Sequence, residues 1–288
     1  MKSITITHNQ YESNRFNRNY LITCRASDFI FIPPSYPVSS GDAEKMAIEI
    51  KRLIDGRGSR TTNIYIGTPG ISSANYSSGI TLNHLTSFLK SVYNNSNISS
   101  SLYRGKIKGV YMNQEAIYGA VNYNNLIGGT SLGNVQIKRM FDLKKWVKSG
   151  NVGGRDFIWI PYYGYGSNAA LIIKNIGYIT DSIQIFDKVI LQAHVFFDQN
   201  TTNGNFNGIA KSMDLGKVCY RDGVAVISKK KSNTLIGYEM EYDVNKSNSE
   251  SLYSQYVYAF SNYKSHPQAF YWAGYGDKKT FDKINDWY

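Results

Sequence analysis

The stretch LIGYEMEYD, Leu235–Asp243, sets two acids into an otherwise apolar run. Side chains alternate along a strand, so Gly237, Glu239 and Glu241 share one face while Tyr238, Met240 and Tyr242 share the other. A carboxylate is seldom buried without a partner. The stretch therefore reads as a strand whose acidic face borders a polar hollow, or as no core strand at all. Its neighbours decide between these readings.

Working outward, short apolar runs alternate with polar, helix-like stretches along the whole chain. DFIFI (Asp28–Ile32) precedes a helix expected from Ser40, with Met46, Ile50, Leu53 and Ile54 on one side. NIYIG (Asn63–Gly67) precedes a stripe formed by Leu82, Leu85, Leu89 and Val92. IKGVYM (Ile107–Met112) leads to a helix around FDLKKWVKSG (Phe141–Gly150). After FIWIPYY (Phe157–Tyr163) a short helix is expected near Asp181–Phe186. After KVILQAHVFFD (Lys188–Asp198) another is expected within residues 209–230. LIGYEMEYD and QAFYW (Gln268–Trp272) complete the series. Near-continuous apolar strands interleaved with helices indicate a parallel sheet covered on its outer face. An eighth strand would come from SITIT (Ser3–Thr7) or YLITC (Tyr20–Cys24). No GxGxxG or GxxxxGK[ST] follows any strand, which argues against an open dinucleotide- or phosphate-binding sheet. The expected fold is α/β: a (β/α)8 TIM barrel or a slightly degenerate variant. No linker-like shift in composition divides it, so residues 1–288 are read as one domain.

The bulk composition bounds the function. With 42% hydrophobic residues the chain has ample material for a core. No run approaches the roughly 18–20 apolar residues of a membrane span, and MKSITITHNQYESNRF has no apolar h-region of a secretory signal. Cys24 and Cys219 read as ordinary buried thiols. His8, His84, His194 and His266 do not fall at metal-ligand spacing, so no metal or organic cofactor is expected. Lys and Arg exceed Asp and Glu by 32 − 21 = 11, which points to anionic partners. The tightest basic run, Lys229–Lys231, reads as a solvated helix end. The 24 tyrosines and four tryptophans suit stacking on sugars or bases. Nucleic acid is the least supported partner, because neither a dense basic cluster nor an RNA-module motif is present.

In such a barrel the site forms at the C-terminal strand ends. Those ends carry Asn113, Gln114 and Glu115; Tyr162 and Tyr163; Gln192 and His194; Glu239 and Glu241; and Trp272 and Tyr275. Carboxyls from two strands suit acid–base work on a glycosidic bond, one protonating the leaving oxygen while the other attacks or activates water. Glu115, Glu239 and Glu241 are the candidate catalytic residues. Asn113, Gln114, Tyr162, Tyr163, Gln192, His194 and Trp272 are the candidate substrate contacts. A barrel that binds carbohydrate without cleaving it is the alternative.

With SITIT or YLITC as first strand, Glu115 ends strand four, the Glu239/Glu241 pair lies on strand seven and Trp272 on strand eight. This resembles the large clan of retaining glycoside hydrolases, with an acid on strand four and a nucleophile on strand seven. FIWIPYYGYG, DKVILQAHVFFD and IGYEMEYD also resemble, more narrowly, a poorly characterised bacterial family of glycosidase-like TIM barrels with WIPYY and GxExE strands. The second segment departs from that family, reading Gln192-Ala193-His194-Val195. The resemblance implies a metal-independent hydrolase of poly- or oligosaccharide, with Glu115 as acid/base and Glu239 or Glu241 as nucleophile or base. Together with the basic balance it implies a bacterial surface or anionic glycan, met outside the cell or at its envelope.

Overall fold

The computed structural model describes residues 1–72, 79–197, 202–228, 232–272, 274 and 277–288. Eight parallel strands close into one barrel in sequence order. They are β1 (Lys2–Thr7), β2 (Asp28–Ile32), β3 (Asn63–Gly67), β4 (Ile107–Met112), β5 (Asp156–Trp159), β6 (Lys188–Gln192), β7 (Leu235–Tyr242) and β8 (Gln268–Trp272). β1 closes the ring by pairing with both β2 and β8. The chain is a (β/α)8 TIM barrel.

SITIT is thus the eighth strand. YLITC falls instead on a short helix, Arg18–Thr23, where Leu21 is buried and Tyr20 stacks on Phe281 at 4.6 Å. The main outer helices are α1 (Ser40–Arg57), α2 (Leu82–Tyr93), α3 (Leu132–Lys148), α4 (Ala169–Gly177), α5 (Thr202–Leu215), α6 (Ser249–Phe260) and α7 (Lys278–Trp287). α1 starts where its sequence says it should. The Ser39 hydroxyl accepts from the Asp42 N–H, and the Asp42 carboxylate accepts from the Ser39 N–H, a reciprocal capping box.

Two expected helices have different bounds. The one placed near Asp181–Phe186 is α4, which buries Ala169, Ile173 and Ile176 and runs into a π-helical turn over Tyr178–Ser182. The one placed within residues 209–230 is α5, which begins earlier and stops at Gly216, whose φ of +61° suits a glycine helix end. Lys229–Lys231 lie outside the described residues, as does Tyr275. Among the described residues, no helix is long and apolar enough to cross a membrane.

Alternation along the strands creates two cores. The outer one packs Phe29, Phe31, Val110, Phe157, Met240 and Phe270 beneath the helices. The inner one fills the barrel with Ile30, Tyr65, Tyr111, Ile158, Ile160, Ile190 and Ala269. Below it, at the strand N-termini, Lys188 pairs with Asp156, which also accepts from the Tyr65 hydroxyl at 3.0 Å. In β7 a Cβ on Gly237 would meet the Pro267 carbonyl oxygen at 1.9 Å, so glycine sets the approach of the chain entering β8.

Candidate active site

Above the inner core the barrel opens into a cavity of about 460 Å³ at the C-terminal strand ends. That volume suits a small ligand. Glu115, Glu239 and Glu241 all border it, with Asn113, Tyr162, Gln192 and His194. The acidic face of the LIGYEMEYD strand therefore turns into the barrel, while Tyr238, Met240 and Tyr242 pack outward. A hollow of about 550 Å³ lies between α5 and α6, lined by Phe206, Ala210, Ser254 and Tyr258 among others. Its lining holds no carboxyl or imidazole, so size does not pick out the chemistry.

Each acid has a different setting. Glu115 follows β4 on a segment whose main chain continues the sheet: its carbonyl accepts from the Tyr162 N–H at 3.1 Å. Tyr162 and Gln192 donate to its carboxyl, and burial outweighs them, raising its pKa. Glu239 lies deeper, 3% exposed, between Gln192 on β6 and Ala269 on β8. Among the described residues nothing donates a hydrogen bond to it. Burial, reinforced by Glu241 and Glu115, holds its pKa well above the ordinary carboxyl value. Glu241, in contrast, is held by the N–H groups of His194 at 3.0 Å and Phe196 at 3.4 Å, and by the Tyr256 hydroxyl. Burial still lifts it to about 7 against those three bonds.

Tyr256 also accepts from the Val195 N–H at 3.2 Å. Glu241 and Tyr256 together thus bind three successive amides and hold the turn after β6. His194 there has φ +59°, a left-handed conformation uncommon outside glycine. Its ring lies 4.4 Å from Tyr162 and stacks on Phe197 at 4.7 Å, forming part of the wall.

Three expected contacts stand outside the cavity. Gln114 is 1% exposed; its amide donates to Gln136 at 2.6 Å and its carbonyl oxygen accepts from Arg139 at 3.2 Å, fixing the segment that presents Glu115. Tyr163 is fully buried on the helix side and donates to the Cys219 carbonyl. Trp272 packs edge-on against Phe16 at 6.1 Å, also on the helix side. The reason for Tyr163 and Trp272 is parity: each is one position from a cavity residue, Tyr162 and Tyr271 respectively. Tyr111, Tyr271, Thr5, Thr7 and Phe197 also line the cavity. Tyr111 carried a readable signal, since it lies two positions before Asn113 on the same strand face. Tyr256 carried none, being on a helix.

No protein-family model matches the chain, and no curated protein matches it. Solved structures do resemble it. A "putative alpha-L-fucosidase" from Bacteroides thetaiotaomicron aligns at TM-score 0.60 and 12% identity, over 100% of this chain and 94% of that one. The ICChI chitinase of Ipomoea carnea aligns at TM-score 0.52 and 11% identity, over 99% of both chains. A psychrophilic glycoside hydrolase family 10 endo-beta-1,4-xylanase aligns at 0.52 and 11%, over 98% of this chain and 95% of that one. At such identities the likeness is one of fold.

Proposed function

We propose that the protein hydrolyses glycosidic bonds in a poly- or oligosaccharide, using Glu115 and Glu239 as its two carboxyls. The observation that carries this reading is that acids from β4 and β7 open into one cavity at the catalytic end of a TIM barrel. The glycosidase names of the structural neighbours support it.

Glu115 is the less buried acid and bonds to Tyr162 and Gln192, so it suits a proton donor that must recharge from water. Glu239 lies below it and suits the carboxylate that attacks the sugar or directs water onto it. Burial raises the pKa of both acids, and the charges of Glu241 and Glu115 raise that of Glu239 further. Glu241 acts through the main chain of the turn after β6, as a positioning residue.

The test is a screen of oligo- and polysaccharides for released reducing ends, with Glu115→Gln as control. The substitution should abolish cleavage and leave glycan binding intact. An unchanged rate would remove Glu115 from the mechanism. Binding of the wild-type chain without turnover anywhere in the screen would leave a carbohydrate-binding barrel.

A further inference from the structure

The net charge of +11 points toward anionic partners, but the cavity has the opposite character. Three carboxyl groups border it, and none of the described residues lining it is a lysine or arginine. Lys246 is not among the lining residues; its Nζ lies 6.0 Å from the centre of the ring of Phe197, which is. The many other cations are distributed over the outer helices, in pairs such as Lys278 with Asp282 and Lys51 with Asp55. At physiological ionic strength solvent-exposed charges such as these are largely screened beyond about 8 Å. The local lining therefore decides what the cavity accepts.

A uronic acid or sulfated sugar placed there would meet three carboxyls and no lysine or arginine among the described lining residues. Glu239 stands buried at 3% exposure with neither a hydrogen-bond donor nor a cation among the described residues, and the hydroxyls of a neutral sugar would supply the donor but not the charge. An ammonium group answers both deficits. It donates up to three hydrogen bonds and neutralises a carboxylate. The rings of Tyr111, Tyr162 and Tyr271 on the same wall add the aromatic surface that attracts cations.

Resting on the hydrolase reading above, we infer that the sugar seated in this cavity is a hexosamine with a free amine, its ammonium set against Glu239. The bound cation then has a second effect. An opposite charge beside a carboxyl favours its ionised form, so the substrate itself pushes Glu239 toward the carboxylate. An N-acetylated or acidic sugar lacks that lever.

The experiment is calorimetric titration of the full chain with three matched sets of oligosaccharides: glucosamine and galactosamine oligomers, their N-acetylated forms, and oligogalacturonate. The expected result is at least about tenfold tighter binding of a free-amine oligomer than of its N-acetylated twin, with no measurable uronate binding. In Glu239→Gln the advantage of the amine should shrink to about twofold. Raising sodium chloride from 50 to 500 mM should weaken the amine oligomer more than the N-acetylated one, which tests the charge contact without any variant. Equal or tighter binding of the N-acetylated or uronate oligomers overturns the inference, as does an amine preference that survives in a folded Glu239→Gln. Turnover of the same panel separates the two readings. Amine oligomers bound but never cleaved would end the hydrolase reading alone. Cleavage of neutral or acidic glycans without amine preference would end this inference alone, and no binding by any set would end both.

Discussion

Glu241 accepts a hydrogen bond from the main-chain N–H of His194 at 3.0 Å, and so ties β7 to the turn that follows β6. A second bond reaches Phe196, and Tyr256 completes the set. Replacing Glu241 by Gln puts an NH2 group opposite an N–H donor. The unsatisfied pair should cost about 1–3 kcal/mol, or several degrees in Tm, and raise KM more than it lowers kcat. Tyr256→Phe should act in the same direction with a smaller loss. Thermal unfolding and steady-state kinetics read both effects; normal stability in Glu241→Gln would remove the anchoring role.

Glu115→Gln and Glu239→Gln should each lower kcat by about 10²–10⁴-fold, the usual contribution of a positioned acid or base. Glu239→Gln should keep near-wild-type melting, since Glu239 loses no hydrogen bond to the described residues. Melting curves beside rate measurements make the comparison. A rate loss matched by lost folding would count against a chemical role.

Tyr271 and Trp272 are adjacent and should behave oppositely. Tyr271 lines the cavity and its hydroxyl is pushed to about 12 by burial and by Glu239 and Glu241. Tyr271→Ala should weaken substrate binding with modest loss of stability. Trp272→Ala removes a ring that is 1% exposed from the helix side, and should cost about 3–5 kcal/mol. Denaturant unfolding and glycan titration of both variants test the parity of β8.

Much of the barrel was legible because polar residues marked which face of a strand was which. Glu239 and Glu241 marked one face of β7 by spacing alone, the face that turns into the barrel. QAFYW holds three aromatic residues in succession, and its polar residue, Gln268, shares the outward parity of Phe270 and Trp272 and bonds to Trp287, so the facing of Tyr271 and Trp272 was ambiguous until the register with β7 was known. Gln114 misled for a related reason. It sits beyond the last residue of β4, where strict alternation ends, and its amide is claimed by Gln136 and Arg139 on α3. Partners brought in by tertiary folding, such as Tyr256, leave no trace in local spacing.

Asp181 provides a pH test away from the cavity. In its π-helical turn Oδ2 accepts from the Val218 N–H at 2.8 Å, while Oδ1 is buried with no partner among the described residues. Burial raises its pKa from 3.8 to about 7. A carboxyl raised on folding favours the folded state below its unfolded pKa, and that contribution is lost as pH climbs through the folded value. Asp181→Asn keeps an acceptor for Val218 without the charge. Its stability relative to the wild type should therefore rise between pH 4 and pH 8, by an amount on the order of a few kcal/mol. Denaturant unfolding at pH 5 and pH 8 decides it; parallel behaviour of the two proteins would show that Asp181 is not the titrating group.

The bond between Lys188 and Asp156, capped by the Tyr65 hydroxyl, corks the narrow end of the barrel. With the isoleucine-rich layer above it, this leaves the cavity a cul-de-sac. A glycan strand cannot be threaded along the barrel axis, and whatever enters must back out through the same doorway. Departure of one fragment and arrival of the next therefore compete for a single opening, whose walls include the turn that Glu241 holds in place.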